Sequence, residues 1–106
     1  MTNIAQAKLE EDFHEDMWQM IRTQKKDYPA WPYPSRFAQM LESYGGVHMA
    51  HKLLSPNADV PITFEILRKE NRPDLAMEHY VLLDKYRSLF NDKERETAKA
   101  RLDYGA

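Results

Sequence analysis

His48 and His51 stand three residues apart, so on a helix they share a face and have the spacing of a metal-chelating pair. A metal centre needs a third ligand, and neither an H-E-x-x-H run nor a flanking glutamate accompanies them. Two solvent-facing histidines are the expected state, and no metal is expected. Glu11 and His14 have the spacing of half a di-iron bundle site. The second half is missing, because Glu78 and His79 are adjacent and cannot face the same way. Ser35, Ser43, Ser55 and Ser88 lack the G-x-S-x-G elbow or S-x-x-K partner that would activate a nucleophile. Gly45-Gly46 has no lysine after it to make a phosphate loop. The six methionines read as gap-filling core rather than a soft metal site. No catalytic residue and no cofactor are expected.

Residues 22–36 offer a different chemistry. Arg22, Lys25, Lys26 and Arg36 oppose a single Asp27 and are interleaved with Tyr28, Trp31 and Tyr33. Basic groups with aromatics can follow a single-stranded backbone and stack its bases. The same residue types also anchor protein–protein contacts. A third account makes the aromatics an internal wrap that the charges merely solvate. Just upstream, Glu10, Glu11, Asp12, Glu15 and Asp16 form an acidic run, with Glu11 and Glu15 as candidate partner contacts. The leading expectation is a non-enzymatic protein that binds a protein partner through this acidic face, the basic-aromatic segment, or both. The alternative is a nucleic-acid-binding accessory protein using residues 22–36, helped by Arg68, Lys69 and Arg72.

Size and composition bound both readings. A chain of 106 residues is enough for one modest core, so a single domain over residues 1–106 is expected. With 15 basic and 17 acidic residues the formal charge is −2, which excludes an overall polycation. The absence of cysteine rules out disulfides and thiolate chemistry and fits a reducing cytosol, so a cytoplasmic protein is expected. No apolar run approaches the ~20 residues that span a bilayer. Three glycines and no useful alternating pattern argue against a sheet.

The elements that must position these groups are helices, about five or six of them. Leu9, Phe13, Met17, Met20 and Ile21 recur every three or four residues. They predict a long first helix from Thr2 or Asn3 to about Lys26, with Ile4 as an extension of the stripe and Trp18 beside it. Its acids in the first half and bases at the end complement the helix dipole. The proline-rich stretch 28–34 cannot be helix. Trp31 is expected to pack inward from it. Pro34 suits a first helical turn. Phe37, Met40, Leu41 and Tyr44 then make one stripe, and Gly45 or Gly46 can take the left-handed conformation that ends it. Val47, Ala50, Leu53 and Leu54 mark the next helix. This helix–Gly-Gly–helix corner invites comparison with a DNA-reading motif. Its surface positions, His48, Met49, His51 and Lys52, hold one fixed charge, so a packed corner is expected instead. The long first helix must fold back onto that corner.

Residues 62–71 predict a short helix with Asn71 as a left-handed cap. A further helix is expected from Pro73 or Asp74 to about Asp84, with a bend at 85–90 that points Tyr86, Leu89 and Phe90 inward. Asn91 and Glu94 have capping-box spacing. The last helix, to about Tyr104, buries little beyond Ala98, Leu102 and the stem of Arg101.

The order of these features resembles a family of small all-helical bacterial and phage proteins of unknown function. The likeness rests on Pro34-x-Arg36-Phe37-x-x-Met40-Leu41 and Gly45-Gly46-Val47-x-x-Ala50-x-x-Leu53-Leu54. It continues through Phe64-x-x-Leu67, Arg72-x-Asp74-Leu75-x-x-Glu78-x-x-Val81-Leu82, Leu89-Phe90 and Glu94-x-x-x-Ala98-x-x-Arg101-Leu102. It covers about two thirds of the chain and departs at residues 71–75, where Pro73 stands in place of a leucine. The resemblance implies a helical domain of the kind found near mobile-element and defence genes, and carries no activity.

Overall fold

The apolar residues at three- and four-residue intervals become the inner face of α1 (Ile4–Asp27). The computed structural model describes residues 4–30, 35–56, 67 and 69–103. Phe13 and Met17 are fully buried, Met20 and Ile21 nearly so, and Leu9 and Trp18 pack against them half-buried. Gln24 continues the stripe one turn further and is buried too. Its Nε2 donates to the Leu75 carbonyl at 2.8 Å, which meets two polar groups that burial would otherwise leave unpaired. Ile4 does not extend the stripe and is 83 % exposed. It precedes Phe13 by about two and a half turns, which puts it on the opposite side of the helix. The dipole argument holds at one end of α1. Lys25 and Lys26 occupy the last turn, but the first turn has no acid, and the effect fades within a turn.

The corner follows as α2 (Ser35–Tyr44) and α3 (Gly46–Leu53). Leu41 and the small Ala38 are the buried residues of α2, while Phe37 and Met40 are half-buried. The helix is thus rolled toward its alanine, and Tyr44, expected inside, stays half exposed. In α3 the buried residues are Gly46, Met49 and Ala50. Met49 therefore leaves the set of surface positions and joins the core, because the small residues beside it let α1 come close. Gly45 has the expected positive φ, at 82°, but its ψ of 160° lies outside the left-handed helical region, in backbone space essentially reserved for glycine.

Residues 57–66 and 68 lie outside the description, as do Thr2, Asn3, Trp31, Tyr33, Pro34 and Tyr104. The inward packing of Trp31, the caps at Thr2 or Asn3 and the start of the helix expected over 62–71 therefore fall outside the described residues. Leu67 and Lys69 are helical. The Arg72 N–H closes onto the Leu67 carbonyl at 2.8 Å while Asn71 takes φ 57°, the left-handed cap expected there. The helix expected from 73 to 84 is broken into a 3-10 turn (Pro73–Leu75) and α4 (Met77–Val81). Ala76 between them is extended, at φ −98° and ψ 146°, and this lets Leu75, Ala76, Met77 and Glu78 all be buried in succession. A second 3-10 turn (Asp84–Leu89) turns Tyr86 and Leu89 inward as anticipated, with Phe90 beside them. Tyr86 and Phe90 meet Phe13 edge-on, each with its ring centroid 5.2 Å away.

The capping box forms at the start of α5 (Asp92–Asp103). Glu94 N–H donates to Asn91 Oδ1 at 2.8 Å, and Asn91 N–H donates to Glu94 Oε1 at 3.0 Å. Ala98 is the buried residue of this helix. Arg101 reaches Glu78 at 3.2 Å, where both side chains are largely removed from water. The architecture is all-α: α1 packs on α2, α3, α4 and both 3-10 turns, and α5 packs on α4. Among the described residues no helix is long and apolar enough to cross a membrane.

Candidate interaction surface

His14 ties the acidic half of α1 to the corner. The Gly46 N–H, in the first turn of α3, donates to His14 Nδ1 at 3.1 Å. Gly45, the residue before α3, supplies no side-chain cap, so an imidazole from another helix takes that place. The Trp18 indole N–H lies 3.1 Å from the other ring nitrogen. A neutral imidazole has one acceptor nitrogen and one N–H, so it can serve one of these donors at a time. Gly46 is buried and Trp18 half-exposed, so leaving the Gly46 donor unmet would cost more, and Nδ1 takes the acceptor role. Both ring nitrogens of His14 thus face donors of the fold, Gly46 N–H and the Trp18 indole.

A groove of about 400 Å³ opens beside this contact. Glu10, Glu11 and His14 of α1 line one wall, and Tyr44, Val47, His48 and His51 line the other, with Gly45 and Gly46 between. The acids of α1 divide into two groups. Asp12 pairs with Lys8 at 3.5 Å. Asp16 accepts the Tyr86 hydroxyl and has Lys85 Nζ at 3.6 Å. Glu10, Glu11 and Glu15 are exposed and make no ion pair or side-chain hydrogen bond among the described residues.

The two candidate metal ligands, His48 and His51, are both exposed on α3. His48 lies against the Tyr44 ring, with centroids 5.4 Å apart, and Lys52 Nζ sits 4.8 Å from the same ring. His51 Nδ1 contacts Glu94 Oε2 at 2.5 Å and its ring packs on Phe90. Among the described residues no three acidic or imidazole groups are placed to hold a metal ion.

The basic-aromatic segment is described in part. Arg22, Lys25, Lys26 and Arg36 are exposed. Arg22 bends back to Gln19 of its own helix at 3.3 Å. Tyr28 is half-buried against Leu67, Leu75 and Ala76, and the Arg72 guanidinium lies 5.8 Å from its ring. Arg72 also contacts Asp27 and Asp74, at 3.3 and 3.2 Å. Its guanidinium is held well above its ordinary pKa, first by the Asp74 hydrogen bond and then by Tyr28. Arg72 thus has its charge paired within the chain, at the surface. Trp31 and Tyr33 belong to the residues not described. The structural role of His14 left no signal in its spacing, because Gly46 lies 32 positions away. Comparison of the chain with protein-family models, curated proteins and solved structures finds no match.

Proposed function

We propose that this chain is a non-enzymatic interaction protein that binds a basic partner protein through the acidic half of α1. One observation carries the reading: Glu10, Glu11 and Glu15 stand exposed and unpaired among the described residues, on the helix that Phe13, Met17 and Ile21 anchor in the core. Charges so placed steer an oppositely charged surface toward the helix. The competing reading, nucleic-acid binding through residues 22–36, loses the support of Arg72, which is already paired with Asp27 and Asp74.

The test is recovery of a partner on the immobilised chain, followed by direct titration with the purified partner. A Glu10→Lys/Glu11→Lys/Glu15→Lys variant with unchanged circular dichroism is expected to lose that binding, and the wild-type affinity is expected to weaken with added salt. Equal affinity for the variant overturns the reading. A mobility shift with single-stranded DNA or RNA that steepens at low salt supports the competing one.

A further inference from the structure

We infer that the groove between α1 and the α2–α3 corner receives a lysine or arginine side chain from a basic segment of the partner, an assignment that rests on the acidic-face reading above. Three features of the groove point to that occupant. Its volume of about 400 Å³, open to solvent along one side, leaves room for a long side chain. Its α1 wall carries Glu10 and Glu11, two exposed carboxylates with no counter-ion among the described residues. Facing them is Tyr44, half exposed although large and largely apolar, and already in contact with the Lys52 ammonium at 4.8 Å. The exposed half of that ring gives the methylenes of a long side chain an apolar surface to lie on.

The same features select against other occupants. Adjacent carboxylates repel phosphate, so a nucleic-acid backbone is disfavoured here. No trio of ligands is placed for a metal ion among the described residues. Gly45 contributes no side chain, and a Cβ there would meet nothing within 4 Å, so the groove stays open along that residue. A long, flexible cationic stem can lay its methylenes on Val47 and Tyr44 while its head meets Glu10 and Glu11.

The test is an NMR titration of the intact chain with a lysine- and arginine-rich octapeptide, using a glutamate-rich octapeptide as the control. Saturable shifts of the Gly45, Gly46, Val47 and His48 amides are expected with the basic peptide alone, and the chain has few enough glycines to read those signals directly. Glu10→Gln/Glu11→Gln is expected to weaken binding about tenfold, a loss of about 1.4 kcal/mol. His48→Lys, at an exposed position, is expected to weaken it similarly by placing a competing cation in the groove. Glu15→Gln is expected to weaken binding less than Glu10→Gln/Glu11→Gln, because Glu15 neighbours Glu11 on the helix but does not line the groove. Binding whose shifts cluster around Glu15 and spare the corner overturns the groove assignment and leaves the acidic-face reading standing. No response to the basic peptide, with the partner still bound through the α1 acids, likewise overturns the groove assignment. If neither peptide nor partner depends on those acids, both readings fall. Shifts at the corner that depend on protein concentration without peptide would make a second copy of the chain the occupant and overturn the assignment.

Discussion

His14 Nδ1 accepts the Gly46 N–H at 3.1 Å, and a Cβ at residue 46 would stand 2.8 Å from the His14 Cα. The hydrogen bond and the close approach are one contact, since α1 can cap α3 only where α3 has no side chain in the way. The two glycines of the corner therefore do different work. Gly45 supplies a backbone angle, since a Cβ there would meet nothing within 4 Å, whereas Gly46 supplies space.

Alanine substitution separates these roles. In an ordinary helix Gly→Ala stabilises by about 1 kcal/mol. At Gly46 the new methyl meets backbone, which cannot rotate aside, and overpacking of this kind costs about 1–3 kcal/mol. At Gly45 the cost is backbone strain of about 1–3 kcal/mol without any clash. Urea denaturation should show both variants destabilised. A His14→Ala background should relieve neither, because the Gly46 clash is with the His14 Cα and not its ring.

The pair Glu78–Arg101 predicts a pH-dependent defect. Burial pushes the Glu78 carboxyl above its ordinary value, and the Arg101 hydrogen bond only partly opposes this. Between the ordinary and the raised value the unfolded chain loses this proton while the folded chain keeps it. Glu78 therefore supports folding fully below that window, and its contribution is lost as pH rises through it. Arg101→Met leaves the carboxylate without its counter-ion and should cost about 3–5 kcal/mol at neutral pH. The deficit should shrink on acidification, as Glu78 becomes neutral. Glu78→Met/Arg101→Met should be no less stable than wild type, and denaturant midpoints at acidic and neutral pH check all three.

Tyr86 has no exposed surface, and its hydroxyl donates to Asp16. Burial first, and then the neighbouring Asp16, raise the phenol above its ordinary range. Above about pH 10 an unfolded tyrosine ionises while the folded one does not, so stability falls with further rise in pH. Tyr86→Phe should cost about 1.5–3 kcal/mol at neutral pH. Its deficit relative to wild type should narrow in alkali, as measured by thermal or urea unfolding.

One carboxylate serves two helices at Glu94. Its Oε1 accepts the Asn91 N–H, and its Oε2 contacts His51 of α3. Asn91→Ala should cost about 1 kcal/mol through the cap alone. Glu94→Ala should cost more, since it also releases His51. A double-mutant cycle between Glu94 and His51 should return a coupling below about 1 kcal/mol, because His51 is exposed.

Much of the fold is written in local spacing. The run from Leu9 through Ile21, the stop at Asn71 and the Asn91–Glu94 box could each be read from residues a few positions apart. Helix periodicity, left-handed tolerance and capping are short-range physics. Spacing also identified the acidic run of α1, but it could not say which acids remain free. That depended on Lys85 and Tyr86 arriving beside Asp16, 69 and 70 positions away. The break at Ala76 and the burial of Met49 and Glu78 were decided by what packs against them, as was the outward turn of Tyr44. The cap that His14 lends to Gly46 and the groove beside it belong to neither helix alone. They exist because α1 lies across α3 at the one position without a side chain, and no period along the chain encodes a distance between two helices.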